Sequence, residues 1–200
     1  DENNISLYCP KTDTGETDHN FLQEHRPADV VGFYGGLTST IPRLYEIARF
    51  YKEKGVVTVA GGQHFVEDNI SEALNSCVDY VAIGEGEETI KEFLRAIEGK
   101  RDVAGVKGLA FLKNGQVTFT AQREPLADFD KTPSPNFSLV RYAKIKIYPV
   151  GRIRGCAMEC EFCTVKGRPR CATPERFLED ICSLVETHNA RYFFIVDDLF

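Results

Sequence analysis

The chain has 200 residues, 42% of them hydrophobic, which is enough to bury the core of one full domain and part of a second. Its net charge of −6 gives no electrostatic reason to expect a nucleic acid partner. The sequence contains neither a continuous apolar run of about eighteen residues nor a charged-then-apolar leader, so it predicts no membrane span and no signal peptide.

Strand and helix patterns alternate through the first half of the chain. A continuous apolar run at residues 56–60 predicts a strand buried on both faces, and further strands are predicted at the short apolar run 5–9, at the β-branched segment 28–34 and at 78–83. Apolar residues at helical offsets predict helices at residues 19–26, 41–54, 70–74 and 87–97. Such strand–helix–strand units predict an α/β fold with a Rossmann-like, doubly wound parallel sheet. The run at 5–9 is typical of the second strand of such a domain, so we expect its first strand and helix to be missing.

A hairpin, a linker and a second domain follow. Apolar runs at 109–112 and 117–120 flank Asn114-Gly115, a type I′ turn signature that predicts a hairpin. Prolines and few apolar residues predict a linker at 128–142, after a first domain at 1–127. In the remaining segment, 143–200, we expect a strand at 144–150, a helix at 174–187 and a strand at 192–196.

Three cysteines lie close together between the first strand and the helix of this second domain. Cys156, Cys160 and Cys163 have the spacing C-x3-C-x2-C, directly behind Gly155. A loop this short can wrap one face of an iron–sulfur cube, and three thiolates leave one iron open for chemistry. Two alternatives stand beside this: buried cysteines on one helix face, or a structural zinc site with Cys171 as fourth ligand. The abundance of cysteine predicts a reducing, cytoplasmic location, with free thiols at Cys9, Cys77, Cys171 and Cys182.

The segment Arg154-Gly155-Cys156, with the two later cysteines and Phe162 before the last of them, resembles the radical S-adenosylmethionine (SAM) superfamily. The resemblance implies that Cys156 and its two partners hold a 4Fe-4S cluster whose open iron chelates SAM. It implies reductive cleavage of SAM to a 5′-deoxyadenosyl radical, and an electron donor such as flavodoxin or ferredoxin. It also implies that Phe162 lies against the adenine.

The same resemblance implies that residues 143–200 are the first βα units of a partial TIM-like barrel, truncated after its second strand. Asp197 and Asp198 follow that strand, where the family binds the amino group of SAM. The more usual Gly-Gly-Glu run is absent, and capping of the next helix is the alternative role.

A second resemblance covers residues from about 28 to 135, which are similar to the cobalamin-binding domain that precedes radical SAM domains. It implies cofactor contacts in loops at the carboxyl ends of the strands, at Thr38, Ser39, Thr40, Gly61, Gly62, Gln63, Gly84, Glu85 and Gly86. Glycine there lets the backbone approach a corrin or its nucleotide tail, although tight turns alone could also require it. The Asp-x-His-x-x-Gly run of histidine-ligating domains is absent, so we expect no histidine of this chain on cobalt, His64 included.

Together these features predict part of a cobalamin-dependent-type radical SAM enzyme, inactive as this segment alone. Methyl transfer to an unactivated carbon of a small-molecule substrate is the expected reaction. The alternatives are a radical SAM cyclase or oxidoreductase that does not use methylcobalamin, and a non-catalytic iron–sulfur or zinc module.

Overall fold

The computed structural model describes residues 5–7, 11–12, 16–66, 68–141, 143–158, 160–163, 165 and 167–199. Two compact units are present: residues 27–126 form one, and residues 1–26 with 127–200 form the other. The domain boundaries predicted at 127 and 142 stay predictions.

The helices and strands follow one another much as the sequence predicts. The strands are β1 Ile5–Leu7, β2 Val30–Tyr34, β3 Val57–Gly61, β4 Tyr80–Ala82, β5 Leu109–Lys113, β6 Gln116–Phe119, β7 Ala143–Ile145, β8 Ile147–Val150, β9 Ile153–Arg154, β10 Arg170–Cys171 and β11 Tyr192–Ile195. The helices are α1 His19–His25, α2 Ile41–Glu53, α3 Asp68–Ser76, α4 Gly86–Ile97 and α5 Pro174–His188. None of the helices in the described part of the chain is long and apolar enough to cross a membrane.

The first unit is built on a five-stranded sheet with the order β2-β3-β4-β5-β6. Strands β2, β3 and β4 are parallel, whereas β5 joins β4 antiparallel and forms a hairpin with β6. Asn114 and Gly115 both have positive φ, which confirms the predicted type I′ turn. The α/β, Rossmann-like class is confirmed, with an antiparallel edge because a two-residue turn can only join antiparallel strands.

The alternation of side chains along the strands divides the core of this unit into two layers. Ala60 and Val81 face α2 and α3, where they pack with Ala48 and Leu74. On the other face, Val59 and Leu109 pack with Phe93 of α4. Helices on both faces of the sheet leave the carboxyl ends of β2, β3 and β4 as one open edge.

A buried polar network joins the amino-terminal ends of β3 and β4. The fully buried Thr58 donates its hydroxyl to a carboxylate oxygen of Asp79 at 2.8 Å and its backbone N–H to the same oxygen at 2.9 Å. Lys52 forms an ion pair with the other oxygen at 2.9 Å. Burial raises the pKa of Asp79, but the hydrogen bonds from Lys52 and Thr58 outweigh it and hold that pKa below its ordinary value.

In the second unit, β8 and β11 are parallel, with Ile147 opposite Tyr192 and Val150 opposite Ile195, and α5 lies between them in the chain. This is one βα unit followed by a second strand. The run predicted as a single strand at 144–150 is two strands, because β7 pairs with β1 and β8 pairs with β11.

The prediction that residues 5–9 form a second strand of the first sheet is wrong. Strand β1 instead pairs antiparallel with β7, with Ile5 opposite Ile145, and residues 8–9, including Cys9, lie outside the described residues. The apolar residues of so short a strand indicate that it packs against another element, but they do not indicate which one. Its pairing partner is decided by tertiary contacts.

Residues 129–134 of the predicted linker pack within the second unit. The buried Phe129 ring lies 4.9 Å from the guanidinium carbon of Arg154 and 5.0 Å from that of Arg170. Arg176 of α5 donates to the carbonyl oxygens of Asp130 and Thr132, each at 2.7 Å. This segment is therefore held against α5 and against the strands that flank the cysteine loop.

Candidate functional site

A cavity of about 290 Å³ opens at the carboxyl edge of the sheet in the first unit. Its floor comes from the ends of β2, β3 and β4, and its side wall from α4. The lining residues are Gly32, Phe33, Tyr34, Val59, Ala60, Gly61, Ala82, Gly86, Thr89, Ile90, Phe93 and Leu109. Only Tyr34 and Thr89 among them have a polar side chain, so the cavity suits a flat apolar group better than a charged one.

Small residues on three neighbouring strands create this space. Gly32 lies in the middle of β2, whereas Gly61 and Ala82 are the last residues of β3 and β4. A Cβ atom on Gly32 would meet nothing nearer than a methyl carbon of Val59 at 4.0 Å, and one on Gly61 would lie 3.4 Å from the carbonyl oxygen of Ala82. Larger residues at these positions would fill the cavity rather than disrupt the sheet.

A polar network behind the cavity fixes its α4 wall. Arg123 donates to the Thr89 hydroxyl at 2.8 Å and to a Glu92 carboxylate oxygen at 2.7 Å. The Arg123 guanidinium holds the pKa of Glu92 below its ordinary value. Because Thr89 is buried and lines the cavity, this network holds one wall in place.

The structure brings only some of the predicted cofactor residues to the cavity. Gly61 and Gly86 line it. The other predicted positions lie outside its lining: Thr38, Ser39, Thr40, Gly62, Gln63, Gly84 and Glu85. Glu85, for example, accepts a hydrogen bond from the backbone N–H of Leu126 at 2.7 Å. Gly32, Tyr34 and Ala82 were not predicted as site residues, although the two-residue spacing of Gly32 and Tyr34 puts both on the same face of β2.

Gly62 has a structural requirement that is independent of any ligand. Its φ is +113°, and a Cβ atom there would lie 2.7 Å from the carbonyl oxygen of Gly35. His64 adds to the same junction, since its backbone N–H donates to Gly35 at 2.9 Å and its ring Nδ1 lies 3.4 Å from the Thr38 hydroxyl. The loops after β2 and β3 are thus tied together, and His64 lies outside the cavity lining.

The cysteine loop of the second unit is closed at its base by β9 and β10. These strands pair antiparallel, with Arg154 opposite Arg170 and Ile153 opposite Cys171. Gly155, at the start of the loop, has φ +88°, and a Cβ atom there would lie 2.8 Å from the carbonyl oxygen of Arg168. Only glycine fits this close approach without strain.

Within the loop, Cys163 donates its backbone N–H to the carbonyl oxygen of Cys160 at 3.1 Å, and the three cysteines are partly exposed. None of the described residues from Cys156 to Cys163 is helical, so the alternative of three cysteines on one helix face is wrong. Phe162 is 92% exposed. Three thiols suit an iron–sulfur cluster chemically, yet no group of three metal-ligating side chains is gathered among the described residues. The predicted ligand set stays a prediction.

Asp197 and Asp198 hold the backbone that leads into this loop. One carboxylate oxygen of Asp197 accepts from the N–H groups of Arg152 at 2.5 Å and Ile153 at 2.8 Å. One oxygen of Asp198 accepts from Gly155 at 2.7 Å. Their predicted role toward the amino group of SAM stays a prediction. The hydrogen bonds show that both carboxylates also hold the backbone at the start of the cysteine loop.

Comparison with protein families identifies the first of the two regions. Residues 13–94 match the family described as the B12 binding domain. Over these residues the chain is similar to B12-binding domains. The cavity described above lies largely among these residues, at the edge where ligands of parallel sheets bind.

Two curated relatives extend beyond this domain. The chain is 30% identical over 184 residues to an uncharacterised methyltransferase of Pyrococcus horikoshii, covering 86% of the chain and 40% of the relative. It is 27% identical over 189 residues to the anaerobic magnesium-protoporphyrin IX monomethyl ester cyclase of Synechocystis sp., covering 87% and 37%. The chain therefore spans about two fifths of the length of these relatives.

Solved structures show the same fold. The cobalamin-dependent SAM radical enzyme OxsB matches with a TM-score of 0.68 at 18% identity, over 90% of this chain and 26% of that one. The radical SAM methyltransferase TsrM from Kitasatospora setae matches with a TM-score of 0.66 at 19% identity, over 90% and 38%. With the similarity to B12-binding domains, these matches confirm the predicted resemblance to cobalamin-type radical SAM proteins.

Proposed function

We propose that this chain is the cobalamin-binding and cluster-binding part of a radical SAM enzyme that methylates an unactivated carbon of a small-molecule substrate. The apolar cavity at the carboxyl edge of the sheet, inside a region similar to B12-binding domains, is the observation that carries the proposal. When bound, cobalamin supplies the methyl group, and a 4Fe-4S cluster supplies the electron that cleaves SAM to methionine and a deoxyadenosyl radical. Flavodoxin or ferredoxin is the class of donor we propose.

The cavity takes only part of cobalamin. Its volume of about 290 Å³ is at the lower end for a small-molecule site, which is room for one flat ring system and not for a corrin macrocycle as well. The apolar lining suits the aromatic base of the nucleotide tail. Gly32 and Gly61 let the base lie directly on the strand backbone, and the corrin would remain outside, at the edge of the sheet.

The second unit would present three thiolates on a loop with a fixed base. Cys156, Cys160 and Cys163 would hold three irons, and Phe162 would lie against the adenine of SAM. Pairing of β9 with β10 and the carboxylates of Asp197 and Asp198 hold the base of the loop. The cysteine loop above this base can then close around the cluster, because metal binding and local folding are coupled in many metal sites.

A second candidate is a radical SAM cyclase that makes a bond without transferring a methyl group from cobalamin. The 27% identity to the magnesium-protoporphyrin IX monomethyl ester cyclase over 87% of the chain favours it. Both candidates use the cysteine loop in the same way. They differ in whether a methyl group of SAM reaches the product, which methyl-labelled SAM would reveal.

The test of the proposal is a titration of the whole protein with hydroxocobalamin, followed by visible absorbance and equilibrium dialysis. We expect binding, and we expect Gly32→Val to weaken it about tenfold, because the new side chain would occupy the cavity at a position where a Cβ atom meets nothing nearer than 4.0 Å. Gly105→Val is the matched control, since Gly105 lies outside the cavity lining and a Cβ atom there would come no nearer than 3.6 Å to the Arg101 guanidinium. Absence of binding by the unaltered protein would overturn the cobalamin assignment.

The cluster is tested separately by metal and sulfide analysis after anaerobic reconstitution. Iron and sulfide in equal amounts, with release of 5′-deoxyadenosine from SAM under reduction, would support the radical SAM assignment. Zinc in place of iron would overturn it and favour a non-catalytic module.

A further inference from the structure

We infer that Tyr34 contacts cobalamin directly, as an aromatic platform at the mouth of the cavity. This inference rests on the proposed function, and it adds a residue that neither the motif nor the family match assigns. Tyr34 is the last residue of β2 and lines the cavity, yet its side chain is 75% exposed. Burial in the core therefore does not account for an aromatic residue at this position.

The Tyr34 ring is held in place although it is exposed. A Cβ atom on Gly36 would lie 2.5 Å from Cε1 and 2.8 Å from Cζ of the ring, and one on Gly62 would lie 2.9 Å from Cδ2 and Cε2. The two edges of the ring thus rest on the backbones of two glycines, one in each loop. The glycines after β2 and β3 provide the space that the ring occupies.

The loops around the ring are themselves joined. The backbone N–H of Gly35 donates to Gly61 at 2.8 Å, and the N–H of His64 donates to Gly35 at 2.9 Å. Both β2 and β3 therefore support the platform. An aromatic side chain with two rotatable bonds, already held in one orientation, loses little conformational entropy when a ligand covers it.

The chemistry of the platform matches a flat ligand. Stacking of an aromatic base on an aromatic side chain is a favourable and sequence-tolerant contact. Two neighbouring apolar residues in the same loops are also exposed, Leu37 by 67% and Val66 by 48%. Exposed apolar side chains in the loops that follow the cavity-lining strands are consistent with a binding surface on this side of the sheet. Tyr34 would stack on the part of the aromatic base that reaches the mouth of the cavity.

The experiment compares four variants of the whole protein in the hydroxocobalamin titration: Tyr34→Phe, Tyr34→Leu, Tyr34→Ala and Phe119→Ala. Phe119 is a matched exposed aromatic residue, 56% exposed, in the opposite edge strand of the sheet. We expect the Kd to rise about tenfold for Tyr34→Ala and clearly for Tyr34→Leu, which keeps apolar volume without a flat face. Tyr34→Phe and Phe119→Ala should bind within about twofold of the unaltered protein.

A tryptophan reporter gives a second measurement. The chain has no tryptophan, so Tyr34→Trp introduces a single tryptophan, whose selectively excited emission hydroxocobalamin should quench in a saturable manner with the same Kd. The inference would be overturned if Tyr34→Leu and Tyr34→Ala both bind hydroxocobalamin with the same Kd as the protein without a substitution. Absence of binding by the unaltered protein would instead overturn the proposed function. Thermal unfolding without cobalamin shows whether each variant is folded. If Tyr34→Ala does not fold, the Kd of Tyr34→Leu decides the test.

Discussion

The carboxylate of Asp198 accepts a hydrogen bond of 2.7 Å from the backbone N–H of Gly155, a residue 43 positions earlier in the chain. Gly155 directly precedes the first cysteine of the loop, and Asp198 follows β11. Asp197 makes the corresponding bonds to Arg152 and Ile153. The residues that follow β11 thus position the backbone of the loop that follows its parallel neighbour, β8.

Replacement of Asp198 by alanine should loosen the cysteine loop. A hydrogen bond to a charged group contributes about 1.5–3 kcal/mol, and its loss frees the N–H of Gly155 at the base of the loop. We expect less iron after anaerobic reconstitution and a broadened electron paramagnetic resonance signal from the remaining cluster. Asp198→Asn, which keeps an acceptor oxygen, should recover most of the iron, and Asp68→Ala on α3 is the control. A full and unaltered cluster in Asp198→Ala would show that this bond does not position the loop.

Cys160 and Cys171 should respond differently to replacement by alanine. Cys160 lies inside the loop, whereas Cys171 is an exposed residue of β10, paired with Ile153. If three thiolates hold the cluster, Cys160→Ala should abolish bound iron and Cys171→Ala should leave it unchanged. Iron and sulfide analysis of both variants decides the point. Equal losses would indicate a four-cysteine site with no open iron.

The network of Thr58 and Asp79 should make stability depend on pH in a defined direction. Because the pKa of Asp79 is lowered in the folded protein, its contribution is complete above the ordinary pKa of an aspartate. That contribution is lost as the pH falls through the lowered pKa. Asp79→Asn should therefore reduce the free energy of unfolding at neutral pH, and its difference from the unaltered protein should shrink in acid.

Thr58→Val tests the other half of this network. The variant keeps the volume but leaves the partly buried Asp79 carboxylate without one donor, which should cost about 1–3 kcal/mol in urea unfolding at neutral pH. Thr118→Val is the control, because the Thr118 hydroxyl makes an exposed bond to Gln116 within the hairpin. An effect of Thr58→Val no larger than that of the control would show that the network does not stabilise the sheet.

Replacement of His64 by alanine should leave the coordination of cobalt unchanged. The backbone of His64 bonds to Gly35, its Nδ1 lies near Thr38, and the residue is not part of the cavity lining. Its Nε2 is buried and has no hydrogen-bond partner among the described residues, so a cobalt ligand is the competing role. Electron paramagnetic resonance of the reduced cobalamin complex distinguishes the two, because a histidine nitrogen splits the cobalt lines. Nitrogen splitting that disappears in His64→Ala would contradict the prediction.

Local sequence patterns were sufficient to predict most of the helices and strands and the hairpin turn. The apolar spacing predicted a helix at 41–54, and α2 spans Ile41–Glu53; Asn114-Gly115 predicted its hairpin turn. The three cysteines were recognisable because their ligand spacing lies within eight residues. In each case the deciding interactions join residues that are close in the chain, so the sequence by itself determined them.

Long-range contacts decided the rest. No local pattern shows that β1 pairs with β7, or that Asp198 bonds to Gly155. The cavity exists because Gly32, Gly61 and Ala82 come from three strands that lie side by side, and of these three only Gly61 was recognisable in its own segment. Only the tertiary structure brings such residues together, since strand pairing depends on packing against neighbours that the chain reaches through long connections.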